Sequence, residues 1–178
     1  MPHTVSNDDA GVPFYTRHGH RVYPAEGAVI KPRRGVFALV TTGTAILMVW
    51  PKVTNGVPEL PGGGINDGET LDEALTREWR EEVGIDMSVM HGPLKEYRHV
   101  RGFFADDLDE FWIYDQTFQL FDFVMSVTTH DKWTNSEGDV AGWQPVSRLK
   151  ESRMNRAHWL AVKELLPELG YSGNNGAE

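Results

Sequence analysis

A chain of 178 residues with 40% apolar and 11% aromatic side chains can close one sizeable core, and its length fits a single domain with ragged ends. Its formal charge of −9 excludes a partner held mainly by neutralising many phosphates, so no nucleic-acid partner is expected. The absence of cysteine excludes a disulfide framework, a thiolate metal site and a cysteine nucleophile, and it fits a reducing, cytoplasmic compartment.

No apolar run approaches the roughly 20 residues that span a bilayer. The opening MPHTVSNDDAG is polar and acidic where a secretory leader is basic then apolar, so neither membrane association nor secretion is expected. Residues 1–24 mix prolines, histidines and polar residues without a period, which predicts a loose arm or an added edge segment. Within it, His18 and His20 of RHGHR read as a solvated pair, because two histidines without further nearby ligands seldom hold a metal. From Val36 the pattern changes. VFALVTTGTAILMVW is two β-rich runs around Thr42-Gly43, a hairpin signal, and runs apolar on both faces suit a sheet covered on both sides. VPELPGGG then leads from sheet to helix.

After Gly84, the segments SVMHGPLKEYRHV, EFWIYDQTFQLFDFVMSV and VAGWQPV are strand candidates by their β-branched and aromatic content, separated by acidic loops. NRAHWLAVKELLPEL predicts a last, core-covering helix, with Trp159, Val162 and Leu166 at helical spacing and Pro167 weakening its final turn. Residues 170–178, GYSGNNGAE in their setting, read as a disordered tail. No internal repeat is present. The order is α/β, with helices on both faces of a mixed sheet.

The most informative stretch is GGGINDGETLDEALTREWREEVGID. Thr70 and Glu73 form a T-x-x-E capping box and Gly84 stands where a helix would stop, so a helix is predicted between them. Leu71, Leu75, Trp79 and Val83 form its apolar stripe, with Glu78 and Glu82 at the border and Glu81 slightly beyond. Glu78, Glu81 and Glu82 stand at i, i+3 and i+4, where like charges cost roughly 0.2–0.5 kcal/mol per exposed pair and more when half buried. The negative end of the helix dipole adds to the conflict. Two readings remain: a highly charged surface helix eased by Arg77 and Arg80, or an oxygen-ligand site for magnesium or manganese.

From Gly63 to Ile85 the residues resemble the Nudix box, G-x5-E-x7-R-E-U-x-E-E-x-G-U, where U is bulky and apolar. Gly63, Glu69, Arg77, Glu78, Trp79, Glu81, Glu82, Gly84 and Ile85 all fall in place, with Trp79 bulkier than the aliphatic residue usual there. The order of elements from about residue 25 to 169 is similar to that of the Nudix hydrolase family. The resemblance implies an α/β/α sandwich with a mixed sheet between helices, and magnesium-dependent cleavage of a nucleoside diphosphate linked to some group X.

It further implies that Glu78, Glu81, Glu82 and the Gly63 carbonyl bind magnesium (or manganese), that one glutamate serves instead as general base, and that Arg77 and Glu69 orient these glutamates. Glu137, six positions before Trp143, resembles the extra metal-site acid of the MutT-like branch. The acidic loop 105–110 competes for that role. Candidate phosphate clamps are the basic KPRR, residues 31–34, with Arg34 foremost, and Arg98 and Arg101, since guanidinium matches phosphate geometry. Asn155 either reads a base edge or caps the last helix.

Phe103 and Phe104 stand where a tyrosine would suggest dinucleoside polyphosphates, and no signature for NADH, coenzyme A or ADP-ribose is evident. The expected substrates are therefore nucleoside triphosphates, cleaved to a monophosphate and pyrophosphate. An ADP-ribose or nucleotide-sugar pyrophosphatase and a non-hydrolytic nucleotide sensor are the alternatives. The expected partner is a small nucleotide, and the sequence leaves a homodimer open.

Overall fold

The computed structural model describes residues 3–4, 13–54, 56–123, 132–135 and 138–167. In chain order the strands are β1 (His3–Thr4), β2 (Phe14–Tyr15), β3 (Arg21–Val22), β4 (Val29–Thr41), β5 (Ala45–Trp50), β6 (Gly62–Gly64), β7 (Met90–Ala105), β8 (Glu110–Phe123), β9 (Lys132–Thr134) and β10 (Val140–Pro145). The helices are α1 (Leu71–Glu82) and α2 (Arg156–Leu165). The main path of the sheet runs β3-β2-β7-β8-β4-β5-β10-β9, with β1 and β6 paired to β4. β4 runs parallel to β8 from Ile30–Phe111 to Thr41–Asp122, while β7 and β8 form a long antiparallel pair, so the sheet is mixed as expected.

Alternation along β4 divides the core. Val36, Ala38 and Val40 face α1 in a cluster with Leu75, Trp79 and Val83, whereas Phe37 and Leu39 face α2 in a cluster with Phe118, Trp159, Val162 and Leu165. This is the α/β/α sandwich. The oversized Trp79 is fully accommodated: its ring is 1% exposed and its Nε1 donates to the Ile85 carbonyl at 2.6 Å. Burying such an aromatic without orphaning its N–H preserves the full gain of its area.

The expected hairpin turns at Thr42–Thr44, where the Thr42 N–H donates to the Ala45 carbonyl at 3.0 Å, but its strands splay after the Thr41–Ile46 pair. Into the gap comes the segment expected only as a connection. Glu59 bridges Val49 of β5, the Ala38 N–H donates to the Pro61 carbonyl at 2.8 Å, and Gly62–Gly64 pair with Phe37–Gly35. The triple glycine is thus a short strand, a role that its low strand propensity hides.

Part of the N-terminal arm lies among the described residues. Residues 14–22 form a hairpin that joins the sheet edge through a parallel Tyr15–Phe103 pair, and Phe14 is buried edge-on against Phe111 at 5.2 Å. The tail 170–178 lies outside the described residues. Among those residues no helix is long and apolar enough to cross a membrane.

α2 is tied to the sheet by a buried imidazole. His158 is 1% exposed, its Nδ1 accepts the Leu60 N–H at 2.9 Å, and its ring meets Phe37 and Phe118. Burial, with Arg101 nearby, pushes its pKa down to about 3, so the folded protein keeps it neutral. The unfolded chain takes this proton near pH 6.5 and the folded chain only near 3, so the unfolded state binds more protons between those values. The stability this group holds above pH 6.5 should fall by up to about 1.4 kcal/mol per pH unit on acidification. Urea unfolding at pH 7 and pH 5 checks it: wild type should lose about 2 kcal/mol more than His158→Gln.

Candidate active site

The box helix α1 starts as its sequence dictates. The Thr70 side chain accepts the Glu73 N–H at 3.2 Å and the Glu73 carboxylate accepts the Thr70 N–H at 2.9 Å. Val83 caps the far end, and Gly84 follows with φ +71. This fixes the phase of the helix, and with it the direction of every acidic residue.

Arg77 is the hub. Its Nε and Nη2 donate to Glu69 at 2.8 and 3.0 Å, a bidentate fork, while Nη2 also donates to the Gly64 carbonyl at 2.9 Å. Its Nη1 donates to Glu78 at 2.7 Å and to Glu81 at 3.4 Å. Arginine and acid shift each other in opposite directions: Arg77 is raised chiefly by Glu69, and Glu69 is lowered to about 2, chiefly by Arg77 and then by the Asn66 N–H. One guanidinium therefore holds Glu69, Glu78 and Glu81 in a fan against the β6 backbone.

The glycines of β6 let these side chains come close to its backbone. A Cβ at Gly63 would stand 2.5 Å from the Glu78 carboxylate, and one at Gly64 would collide with the Arg33 guanidinium. The Gly62 N–H donates to Glu82 Oε2 at 2.8 Å. Burial raises the Glu82 carboxyl well above the usual range, helped by the negative Glu78, Glu59 and Asp139, against the lowering effect of the Gly62 N–H. Glu78 is raised for the same first reason, with Arg77 opposing. Buried acids crowded by other acids are candidates for a cation or a proton.

The remaining sequence candidates are distributed unevenly. Arg101 lies mostly buried over the Phe103 ring at 5.1 Å, its Nη2 donates to Asn155 at 3.2 Å, and its Nε has no hydrogen-bond partner among the described residues. Asn155 is spent structurally: its Oδ1 accepts the Ala157 N–H at 3.1 Å as the α2 cap, and its Nδ2 donates to Glu59 at 3.3 Å. Asn155 thus fills the capping role that the sequence offered for it. Arg98 forks onto Asp115 at 2.6 Å on an exposed face, which leaves it committed to that acid. Arg34 is exposed, and strand alternation sends its neighbour Arg33 to the other face, against Gly64 and over Trp112 at 5.8 Å. The arginine of KPRR that reaches the box is thus Arg33.

Glu137 lies outside the described residues. In the acidic loop, Asp106 and Asp107 pair with Arg17 at 3.3 and 3.1 Å, and Glu110 accepts Lys31. His18 and His20 are exposed, with ring centroids 6.4 Å apart. Sequence reasoning missed Glu59, a half-buried acid whose carboxyl is raised by desolvation, opposed by Asn155, Arg17 and Arg101. It also missed Tyr114, buried on β8 under Gly35 and raised by burial. A charged residue in an otherwise apolar, proline-flanked connection was the available signal for Glu59.

The mixed sheet between two helices, with a glutamate-bearing helix over a glycine strand, defines a Nudix-type hydrolase domain. The chain belongs to the NUDIX family, whose domain model, described as NUDIX domain, matches residues 31–174. The NAD-capped RNA hydrolase NudC of Stutzerimonas stutzeri (strain A1501) is 35% identical over 82 residues, 43% of this chain and 30% of that protein, so the chain spans under a third of that relative. A bifunctional NMN adenylyltransferase/ADP ribose pyrophosphatase from Francisella tularensis shares the fold at TM-score 0.57 and 23% identity, covering 78% of this chain and 42% of that one. The E. coli dihydroneopterin triphosphate pyrophosphohydrolase does so at TM-score 0.55 and 15% identity, covering 78% and 99%.

Nudix hydrolases use divalent metals. Among the described residues no three acids or histidines converge into a closed cage, because Glu78 and Glu81 both turn to Arg77. The donor set nonetheless fits a hard cation, since it is all oxygen and Glu78 lies against the Gly63 backbone.

Proposed function

We propose that this domain hydrolyses, with magnesium, the phosphoric anhydride of a nucleoside diphosphate linked to X. The observation that carries the reading is the cluster of Glu78, Glu81 and Glu82 at the glycine strand: Glu78 against Gly63, Glu82 on the Gly62 N–H, and Glu78 and Glu81 held by Arg77. In this reading those glutamates and the Gly63 carbonyl hold the ion, and one glutamate accepts the proton of the attacking water instead. Bound magnesium (or manganese) supplies Lewis acidity and a water of lowered pKa. Arg77 fixes the glutamate rotamers, because ligands held by outer partners keep their geometry. Arg33, beside Gly64, is positioned to meet a phosphate oxygen. Glu137 is retained as an added ligand or base on its spacing to Trp143.

The favoured substrates are nucleoside triphosphates, and the compartment is the cytoplasm. A second reading, the diphosphate of a dinucleotide, is favoured by the NudC similarity, since that relative is named for NAD-capped RNA. A panel of nucleoside triphosphates, ADP-ribose and NAD with magnesium, read by phosphate release through coupled phosphatases, tests both. Release of pyrophosphate from triphosphates is the expected result. Metal binding with no cleavage of any member would replace hydrolysis by the sensor role.

A further inference from the structure

A cleft of about 710 Å³ opens between the N-terminal hairpin and the start of α2. A chain of net charge −9 brings five arginines to it, Arg17, Arg21, Arg101, Arg153 and Arg156, with Glu151 as the one acid of the lining. Asp106 and Asp107 occupy Arg17. Arg21, Arg153 and Arg156 are exposed, and none has a carboxylate within ion-pair distance among the described residues. Like charges gathered without counter-charge are a cost unless an anion shares the space.

Two further observations point inward. Arg101, at the cleft wall, keeps an unpartnered buried Nε. His99, also in the wall, is pushed down by burial and by Arg101 and Arg156, which reports a positive field inside. The turn of the hairpin that carries Arg17 and His18 is closed by backbone hydrogen bonds: the Thr16 N–H donates to the His20 carbonyl at 2.9 Å and the Gly19 N–H to the Thr16 carbonyl at 3.0 Å. These residues precede those matched by the family model, which begins at residue 31.

The cleft wall is linked to the glycine strand by hydrogen bonds: Arg101 Nη2 donates to Asn155 at 3.2 Å, and Asn155 Nδ2 donates to Glu59 at 3.3 Å in the segment that leads into Gly62. We propose that this cleft is a second anion site, which takes a phosphate monoester on the nucleoside sugar of the substrate while the anhydride lies at the glutamates. The assignment rests on the second reading of the proposed function, a diphosphate linking a nucleoside to X, and narrows that class to nucleotides with the extra sugar phosphate.

The test uses binding to the full chain carrying Glu82→Gln, so that turnover plays no part. Amide shifts are followed first with inorganic phosphate in chelator, then with two matched pairs in magnesium: NADP against NAD, and coenzyme A against dephospho-coenzyme A. Phosphate should shift amides at Thr16–His20 and Asn155–Ala157 saturably, and the phosphorylated member of each pair should bind about tenfold tighter or more. Arg21→Gln with Arg156→Gln, both at exposed positions, should bring each ratio close to one. Phosphate shifts centred on Gly62–Gly64, or ratios near one before substitution, overturn the proposal; phosphate binding without a ratio assigns the cleft to free phosphate and overturns it equally. Loss of all hydrolysis in wild type would count against the proposed function and leave the ratios standing.

Discussion

Replacing Glu82 by Gln should lower turnover by roughly 10³-fold, the rate equivalent of about 4 kcal/mol, without lowering the stability of the metal-free fold. The side chain is half-buried and, among the described residues, its one hydrogen-bond partner is the Gly62 N–H at 2.8 Å. A glutamine oxygen still accepts that bond, so the shape of the site and the α1–β6 contact persist. What disappears is the negative charge. In the metal-free state that charge is a burden, because burial and the acids Glu78, Glu59 and Asp139 raise the carboxyl well above the usual range.

The sign follows from linkage. A carboxyl whose folded pKa is raised contributes stability that is full below its unfolded value of 4.5 and is lost as pH rises through the folded value. Glu82→Gln should therefore leave the metal-free protein at least as stable as wild type at pH 7, and more clearly so as pH rises. With magnesium the order should reverse, since only the wild type gains a full set of anionic ligands. Thermal melts with and without magnesium, beside steady-state rates, read both halves. Near wild-type turnover, or a metal-free fold that collapses, would sink the assignment of Glu82.

The box was legible because its geometry is local. Helical spacing alone places Glu78 and Glu82 beside the apolar stripe, and the capping pair Thr70–Glu73 sets the phase. The apolar run after Val36 announced a sheet covered on both faces for an equally local reason: alternate residues of β4 enter two different cores. Legibility ended where the partner is distant in sequence. Arg34 and Arg33 cannot be told apart until β4 is seen to point one of them at Gly64. Asn155 carried two readings until its amide was found between Ala157 and Glu59. The N-terminal arm gave no period to read, yet the Tyr15–Phe103 pair and the buried Phe14, packed with Ile30 and Phe111, place it at the sheet edge. Glycine conceals strands most thoroughly, since nothing in GGG signals pairing with residues 35–37.

That same triple glycine yields the largest expected loss of stability. Gly62→Ala should destabilise the protein by about 4 kcal/mol or more, the sum of overpacking against a backbone and of an unfavourable backbone angle. Gly62 has φ +135, and a Cβ there would collide with the Val36 carbonyl and stand 2.6 Å from the Phe37 Cα. Neither atom belongs to a side chain that can swing away; both lie in the middle of β4, whose Val36 and Phe37 are buried in opposite cores. Relief requires β6 to lift from β4, which breaks the pairing of Gly62–Gly64 and withdraws the Gly62 N–H from Glu82. Activity should fall with stability. Gly68→Ala supplies the control, because Gly68 has φ +81 but open space where its Cβ would stand, so only the left-handed backbone cost of about 1 kcal/mol applies. Urea unfolding of the two variants separates the terms, and a loss at Gly62 no greater than at Gly68 would show that β6 is free to move away from β4, undoing the close approach on which the site is built.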